Sequence, residues 1–485
     1  MPDSKALLAK LQFGKPSAED DFEGLKRYFV EGSYSGRINS GENRFLLGNR
    51  GAGKSALLRM AAEREHLANQ IVIELRPSDY SYQMLAEVTG AGAEEAWAKQ
   101  GYYAAAWKYT LLILTMKELA AAPQVRTKLT KEERKLLKFI RDAYLGQALV
   151  NPIEVLTAYI SRLRGSQTIP MDGIRSAELT KLYRVEELDA YLTTMDEGLR
   201  KSRVSIFVDE LDTGWDASED AKAFVAGLFQ ACTTLNRRNE NLRIFVSLRQ
   251  ELYDNIPALY DDTQKYRDLF TTIRWDSKSL TDLIVKRIVY YVPELKNLSD
   301  DEVIEAVFGS RDVLEYILDR SLYRPRDLIF FADLALRRAR EITEKLPIPE
   351  QAVLDVELDY STSRMNDLGA EYRFQYPELG DIFNVFRAGP ALLDRDEILE
   401  LLLSVSVGDA IPPSRHQDWY SGKDPDELLR ILWNIGFLLV MDSANSAGAA
   451  GHFRVGSADD PSLDIYRAEK FRVSPLFNRA LGLEL

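Results

Sequence analysis

Residues 48–55 read Gly-Asn-Arg-Gly-Ala-Gly-Lys-Ser and satisfy the pattern G-x-x-x-x-G-K-[ST] at every defined position. The pattern asks for a strand before it and a helix after it. Its glycines let backbone N–H groups curl around a phosphate, and the helix behind adds its positive N-terminus. The flanks comply: Arg44–Leu47 is a brief strand, Ser55–Leu67 has helical periodicity, and Gln70–Leu75 (QIVIEL) reads as a buried strand. In this arrangement Gly48, Asn49, Arg50, Gly51, Ala52, Gly53, Lys54, Ser55 and Ala56 line the nucleotide phosphates. Lys54 reaches the β- and γ-phosphate oxygens, and the Ser55 hydroxyl ligates Mg²⁺.

A second motif runs Val204-Ser-Ile-Phe-Val-Asp-Glu-Leu-Asp212, an apolar run that ends in adjacent carboxylates. Asp209 sits where a Walker B aspartate holds the Mg²⁺ water shell, and Glu210 where a general base orients the attacking water. The alternative for Asp209 is a cap on the following helix, a role that Asp212 also suits. A third run, Leu242-Arg-Ile-Phe-Val-Ser-Leu-Arg249, is a strand ending in Ser247 and Arg249. In the usual sheet order it lies beside the Walker B strand, where a polar group senses the γ-phosphate or positions the lytic water. Surface pairing of Arg249 with Glu251 or Asp254 is the alternative. The fourth run, Tyr323-Arg-Pro-Arg-Asp-Leu-Ile329, opens a helix with two arginines, Arg324 and Arg326. A guanidinium suits phosphate oxygens, but Asp327 can tie either arginine locally, and the residues do not choose between them.

The rest of the chain limits what else is present. The 485 residues carry a net charge of −13, which argues against sequence-blind binding of nucleic acid over the whole surface. One cysteine, Cys232, excludes an intramolecular disulfide and favours a cytoplasmic location. Three scattered histidines exclude a structural zinc site and a local Cys–His pair. No opening segment resembles a signal peptide, and the best apolar run, Tyr109–Met116, is far short of the roughly 20 residues that span a bilayer.

The expected fold class is α/β: a P-loop NTPase parallel sheet with a large helical insertion, a helical lid and a C-terminal winged-helix-like domain. The ATPase core starts in 1–79 with Walker A and resumes in 201–276 with Walker B, around a helical insertion at 80–200. Insertion helices are expected near 94–121, 130–146, 151–164 and 184–200, with Leu111, Leu112, Leu114, Met116 and Leu119 as a core-facing stripe. The lid follows at 277–346, a linking helix at 347–376, and the winged-helix-like domain at 377–485. In the last segment three helices precede strand-like runs at Phe437–Met441, His452–Val455 and Phe471–Val473, with Asp442–Gly451 (DSANSAGAAG) at the hairpin tip. Residues 378–485 carry a net charge of −7, and the candidate recognition helix Asp424–Trp433 has three acids and one arginine. Such a helix is repelled by DNA, so a protein-docking or autoinhibitory role is favoured over DNA binding.

GNRGAGKSALL, FVDELDTGWD, FVSLRQELY and RPRDLIFF together resemble the additional-strand, catalytic-glutamate ATPases. Within them the chain is similar to the AAA+-related origin-recognition, STAND and KAP-like group, and to bacterial P-loop ATPases often found in mobile elements and defence loci. The resemblance covers about residues 20–345, and the long insertion departs from a simple AAA+ ring. It implies ATP and Mg²⁺ as cofactors and a nucleotide-driven switch or assembly platform. A role in antiphage defence follows from the same resemblance; homo-oligomers are expected, and a separate effector protein is expected because no second catalytic centre is apparent in the sequence. The alternatives are a DNA-engaged ATPase of origin-loading or transposition-regulator type and a nucleotide-binding scaffold that scarcely hydrolyses.

Overall fold

The computed structural model describes residues 4–32, 35–76, 96–122, 130–131, 134–135, 138, 185–212, 215, 217–254, 256, 267–415, 417–441, 453–456 and 463–484. The chain divides into two compact units, Ser33–Asn49 with Lys54–Ile273, and Met1–Gly32 with Arg50–Gly53 and Arg274–Leu485.

In the first unit five strands form one parallel sheet. They are β1 (Phe45–Gly48), β2 (Ile71–Leu75), β3 (Val204–Val208), β4 (Leu242–Arg249) and β5 (Phe270–Thr272), in the spatial order β2-β3-β4-β1-β5. β1 and β3 are buried along their whole length, as continuous apolar runs require when both sheet faces are covered. β4 lies between the glycine-loop strand and the Walker B strand, so it neighbours both. Gly48 pairs with Arg249, and Val208 with Val246. Because every pairing is parallel, the C-terminal ends of β1, β3 and β4 open on the same edge, where ligands bind in sheets of this kind.

Helix Lys54–Leu67 follows the glycine-rich loop directly. Helix Glu219–Arg238 starts at Ser218, whose hydroxyl accepts from Ala221 N–H at 3.1 Å. Of the insertion, helices Ala96–Ala121 and Val185–Leu199 are described. The helix expected at 130–146 falls mostly, and that at 151–164 entirely, outside the described residues. Leu111, Leu112, Leu114, Met116 and Leu119 are all buried, and they pack against the sheet's own core rather than standing apart from it. The close approach of Ala96–Ala121 to Glu219–Arg238 depends on Gly227, where a Cβ would stand 2.7 Å from the Ala104 nitrogen. Among the described residues no helix is long and apolar enough to cross a membrane.

The second unit is mainly helical. Ser277–Tyr291, Asp300–Phe308, Arg311–Asp319 and Pro325–Ile342 form the lid, and Glu350–Glu371 is the linking helix. Side-chain caps set the starts of the first three: Asp276, Ser299 and Ser310 each accept from a first-turn N–H. Beyond them lie helices Leu379–Val385, Arg395–Val407 and Pro425–Asn434, and strands β6 (Leu392–Asp394), β7 (Leu438–Met441), β8 (Phe453–Val455) and β9 (Lys470–Val473). The strands form an antiparallel sheet in the order β6-β9-β7-β8, a winged-helix-like arrangement. The expected hairpin tip, Asp442–Gly451, lies outside the described residues.

Lid, linking helix and winged-helix-like segment share one apolar core, which also takes in Leu7, Leu8, Leu11 and Phe13 from the start of the chain. Polar ties reinforce it. Buried Glu357 accepts from the Tyr316 hydroxyl at 2.7 Å, from Arg479 Nε at 3.1 Å and from Arg320 Nε. The Ser361 hydroxyl donates to the Leu476 carbonyl at 2.6 Å and accepts from Ala480 N–H at 3.1 Å.

Candidate functional site

The glycine-rich loop leaves β1 at Gly48. Gly51 and Gly53 have φ of +80° and +90°, values that favour glycine, and the turn they make bends successive N–H groups toward one side. The Lys54 ammonium donates to the carbonyls of Gly48 at 2.8 Å and Asn49 at 3.0 Å, so it lies across the loop. Ser55 and Ala56 stand in the first turn of Lys54–Leu67, where the unsatisfied N–H groups concentrate positive potential.

On the same sheet edge the Asp209 N–H donates to the Leu75 carbonyl at 3.0 Å, and its carboxylate accepts from the Ser247 hydroxyl. The helix-cap alternative for Asp209 does not hold, because Ser218 caps the following helix. Glu210 has φ of +60°, in the left-handed region, where a residue with a Cβ is disfavoured by roughly 1–2 kcal/mol. Two residues later Asp212 pairs with Arg249; the two side chains are 24% and 16% exposed. Arg249 was expected to read the γ-phosphate, to position the lytic water or to pair within its own segment. This ion pair ties the end of β4 to the segment that follows β3. Ser55 and Asp209 would supply oxygen ligands to a cation. A hard oxygen set with few protein ligands fits Mg²⁺, which keeps several waters and takes phosphate oxygens.

In the second unit the two lid arginines are placed by an unusual turn. Leu322 and Tyr323 both have left-handed φ, 48° and 51°; Arg324 is then extended, and Pro325 begins the helix. The Arg326 N–H approaches the Gly51 carbonyl at 3.5 Å, and a Cβ on Gly51 would stand 3.2 Å from Arg326 Cβ. The Arg324 guanidinium stands 3.9 Å from the buried Glu371 carboxylate. The Asp327 N–H donates to the Arg324 carbonyl at 3.1 Å. The Asp327 side chain accepts from Arg364 of the linking helix at 2.9 Å, and burial raises its carboxyl above the ordinary range. Arg50, Arg324, Arg326 and Arg364 line one cavity of about 120 Å³ with Asp327 and Glu371. Burial, with Arg50 as a like-charged neighbour, lowers the basicity of Arg326.

Sequence reasoning missed Arg364 and Glu371, and it weighed Asp212 only as a helix cap. Arg364 pairs with Asp367 in its own helix, but its contact with Asp327 and that of Glu371 with Arg324 join distant segments and leave no local signal.

Residues 278–369, the lid and most of the linking helix, match the model of the FunZ-associated C-terminal helical domain. Along 98% of its length the chain is 23% identical to the putative transposon gamma-delta 80.3 kDa protein of Escherichia coli K12, and the match spans 67% of that protein. Among solved structures, the Aeropyrum pernix ORC2 protein in its ADPNP–ADP complexes aligns over 92% of this chain and 90% of its own, at 11% identity and a TM-score of 0.35. The Aeropyrum pernix ORC1 protein in complex with DNA aligns over 98% and 96%, at 10% identity and a TM-score of 0.34. Likeness at that level bears on neither fold nor function.

Proposed function

We propose that the chain is a Mg²⁺-dependent ATPase whose nucleotide state switches its conformation or its assembly with partner proteins. The observation that carries this reading is the sheet order. β4 between β1 and β3 brings the glycine-rich loop, Lys54, Asp209 and Glu210 to one edge. The loop N–H groups and Lys54 bind the phosphates, Ser55 and Asp209 hold the cation, and Glu210 orients a water and accepts its proton. Bound Mg²⁺ supplies charge neutralisation on the phosphate oxygens. Of the two lid arginines, Arg326 is the one assigned to the nucleotide, because it flanks Gly51 whereas the Arg324 guanidinium faces Glu371.

The assay is steady-state turnover of ATP by the full chain. Activity is expected to disappear with EDTA, to return with excess Mg²⁺, and to be absent in Lys54→Ala. Wild-type turnover in Lys54→Ala refutes the site assignment.

The DNA-engaged alternative draws on the transposon name of the Escherichia coli relative. Against it stands the acidic first turn of helix Pro425–Asn434, Asp426 and Glu427. Turnover stimulated by duplex DNA and weakened by salt would favour the alternative. A role in bacterial defence remains part of the proposal, on the motif resemblance alone.

A further inference from the structure

Glu210 has the wrong backbone conformation for an unsupported glutamate. At φ +60° its Cβ crowds its own peptide, so neighbouring structure must hold it there. Among the described residues, adjoining strands support it on both sides. Before Glu210, the Asp209 N–H is fixed to the Leu75 carbonyl on β2, and the Asp209 carboxylate takes the Ser247 hydroxyl on β4. After Glu210, Asp212 meets the Arg249 guanidinium, also on β4, and both side chains are largely withdrawn from solvent. Ser247 and Arg249 are two residues apart on one strand, so their side chains leave the same face. The Arg249 backbone in turn stands in register with Gly48, the first residue of the glycine-rich loop. The turn that carries the base is therefore braced at both ends against the strand that borders the phosphate loop.

We propose that Asp212 and Arg249 form a clamp that holds Glu210 in its left-handed conformation, and that the pair acts on hydrolysis through Glu210 rather than by touching the nucleotide. This rests on the assignment of Glu210 as the base. Asp212 and Arg249 are then positioning residues, and the γ-phosphate role expected for Arg249 is replaced by an intramolecular one. A proton acceptor must sit within hydrogen-bond reach of its water, and small displacements of such a group lose large factors in rate.

The experiment measures ATP turnover by the full chain across ATP concentration, with affinity for the fluorescent analogue mant-ATP in Mg²⁺ and a thermal melt on every variant. Asp212→Asn and Arg249→Gln are each expected to lower kcat by about 10- to 100-fold. KM and the mant-ATP Kd should move by less than about twofold, because no nucleotide contact is lost. Arg249→Lys keeps the charge with a poorer fork and is expected to lose about 3- to 10-fold; it is read in place of either variant that melts early. The decisive arm is Asp212→Asn placed on Glu210→Gln. With the base already gone, the clamp has nothing left to position, so residual turnover should change by less than about twofold.

Multiplied losses in the double variant overturn the proposal, as does a rise in KM and Kd that matches the fall in kcat. Unchanged kcat in Asp212→Asn, in a chain whose turnover still requires Lys54, overturns the clamp and leaves the ATPase reading standing. Turnover that survives Lys54→Ala instead removes the ATPase reading, and the clamp with it.

Discussion

The two sheets contain similar apolar strands and do opposite things with their ends. In the parallel sheet β1, β3 and β4 all finish on one edge, and there the chain places an ion pair, a serine–aspartate hydrogen bond and a strained glutamate. In the antiparallel sheet neighbouring strands finish on opposite edges, so the C-terminal ends are divided, those of β6 and β7 on one edge and those of β8 and β9 on the other. Its interior is apolar: Phe383 stacks on Phe437 at 4.4 Å, and Phe437 lies 5.3 Å from Phe477. Its polar contacts serve its own helices, as where Arg395 pairs with Asp426 and donates to the Ile465 carbonyl at 3.0 Å. Parallel order concentrates chemistry, whereas antiparallel order here completes a packing unit.

Substitutions at the two sheets should therefore differ in kind. The largest effect is expected at Glu210→Gln, which keeps the shape but cannot take a proton. Its kcat should fall by about 10²- to 10⁴-fold with mant-ATP binding retained. Loss of mant-ATP binding in a folded variant would make Glu210 structural and blur the contrast.

A smaller effect is expected in the lid. Arg326→Ala should lower kcat by about tenfold, on the scale of one charge-assisted phosphate contact. Arg324→Ala should lower the melting temperature by a few degrees with kcat nearly intact, because it strips a partner from buried Glu371. The reverse pattern, in turnover assays paired with melts, would exchange the two assignments.

The smallest expected effect is at the winged-helix-like segment. Mixed-sequence duplex DNA titrated into the full chain at physiological salt should give no anisotropy change up to micromolar protein. The segment's charge of −7 removes the counterion-release source of affinity. Micromolar or tighter binding would give the antiparallel sheet a function at its surface and promote the DNA-engaged reading.

Much of the fold was legible because its signals are local. The run FLLG before a glycine-rich loop, VSIFV before two acids, and LRIFVSLR each announce a buried strand, and the observed strands fall within a residue or two of those runs. β5 is short, only Phe270–Thr272, and stands at the edge of the sheet beside β1. β6 was invisible: three residues, Leu-Leu-Asp, become a strand only because β9 lies alongside them. The short helix Ser4–Lys10 was missed for the same reason. Seven residues hold helical form here because Leu7 and Leu8 enter the lid core.

By itself the sequence determined which chemical groups exist and where each meets its own strand or helix end: the phosphate loop, the adjacent carboxylates, the paired arginines of the lid. Those are contacts over a few residues, and chain connectivity enforces them. Tertiary structure decided who faces whom. Register across a parallel sheet set Arg249 against Asp212 and Ser247 against Asp209, and the left-handed turn at Leu322 and Tyr323 set Arg326 beside Gly51 and Arg324 toward Glu371. A side chain such as Arg249 can pair with any acid within its reach, and only packing of distant segments selects one.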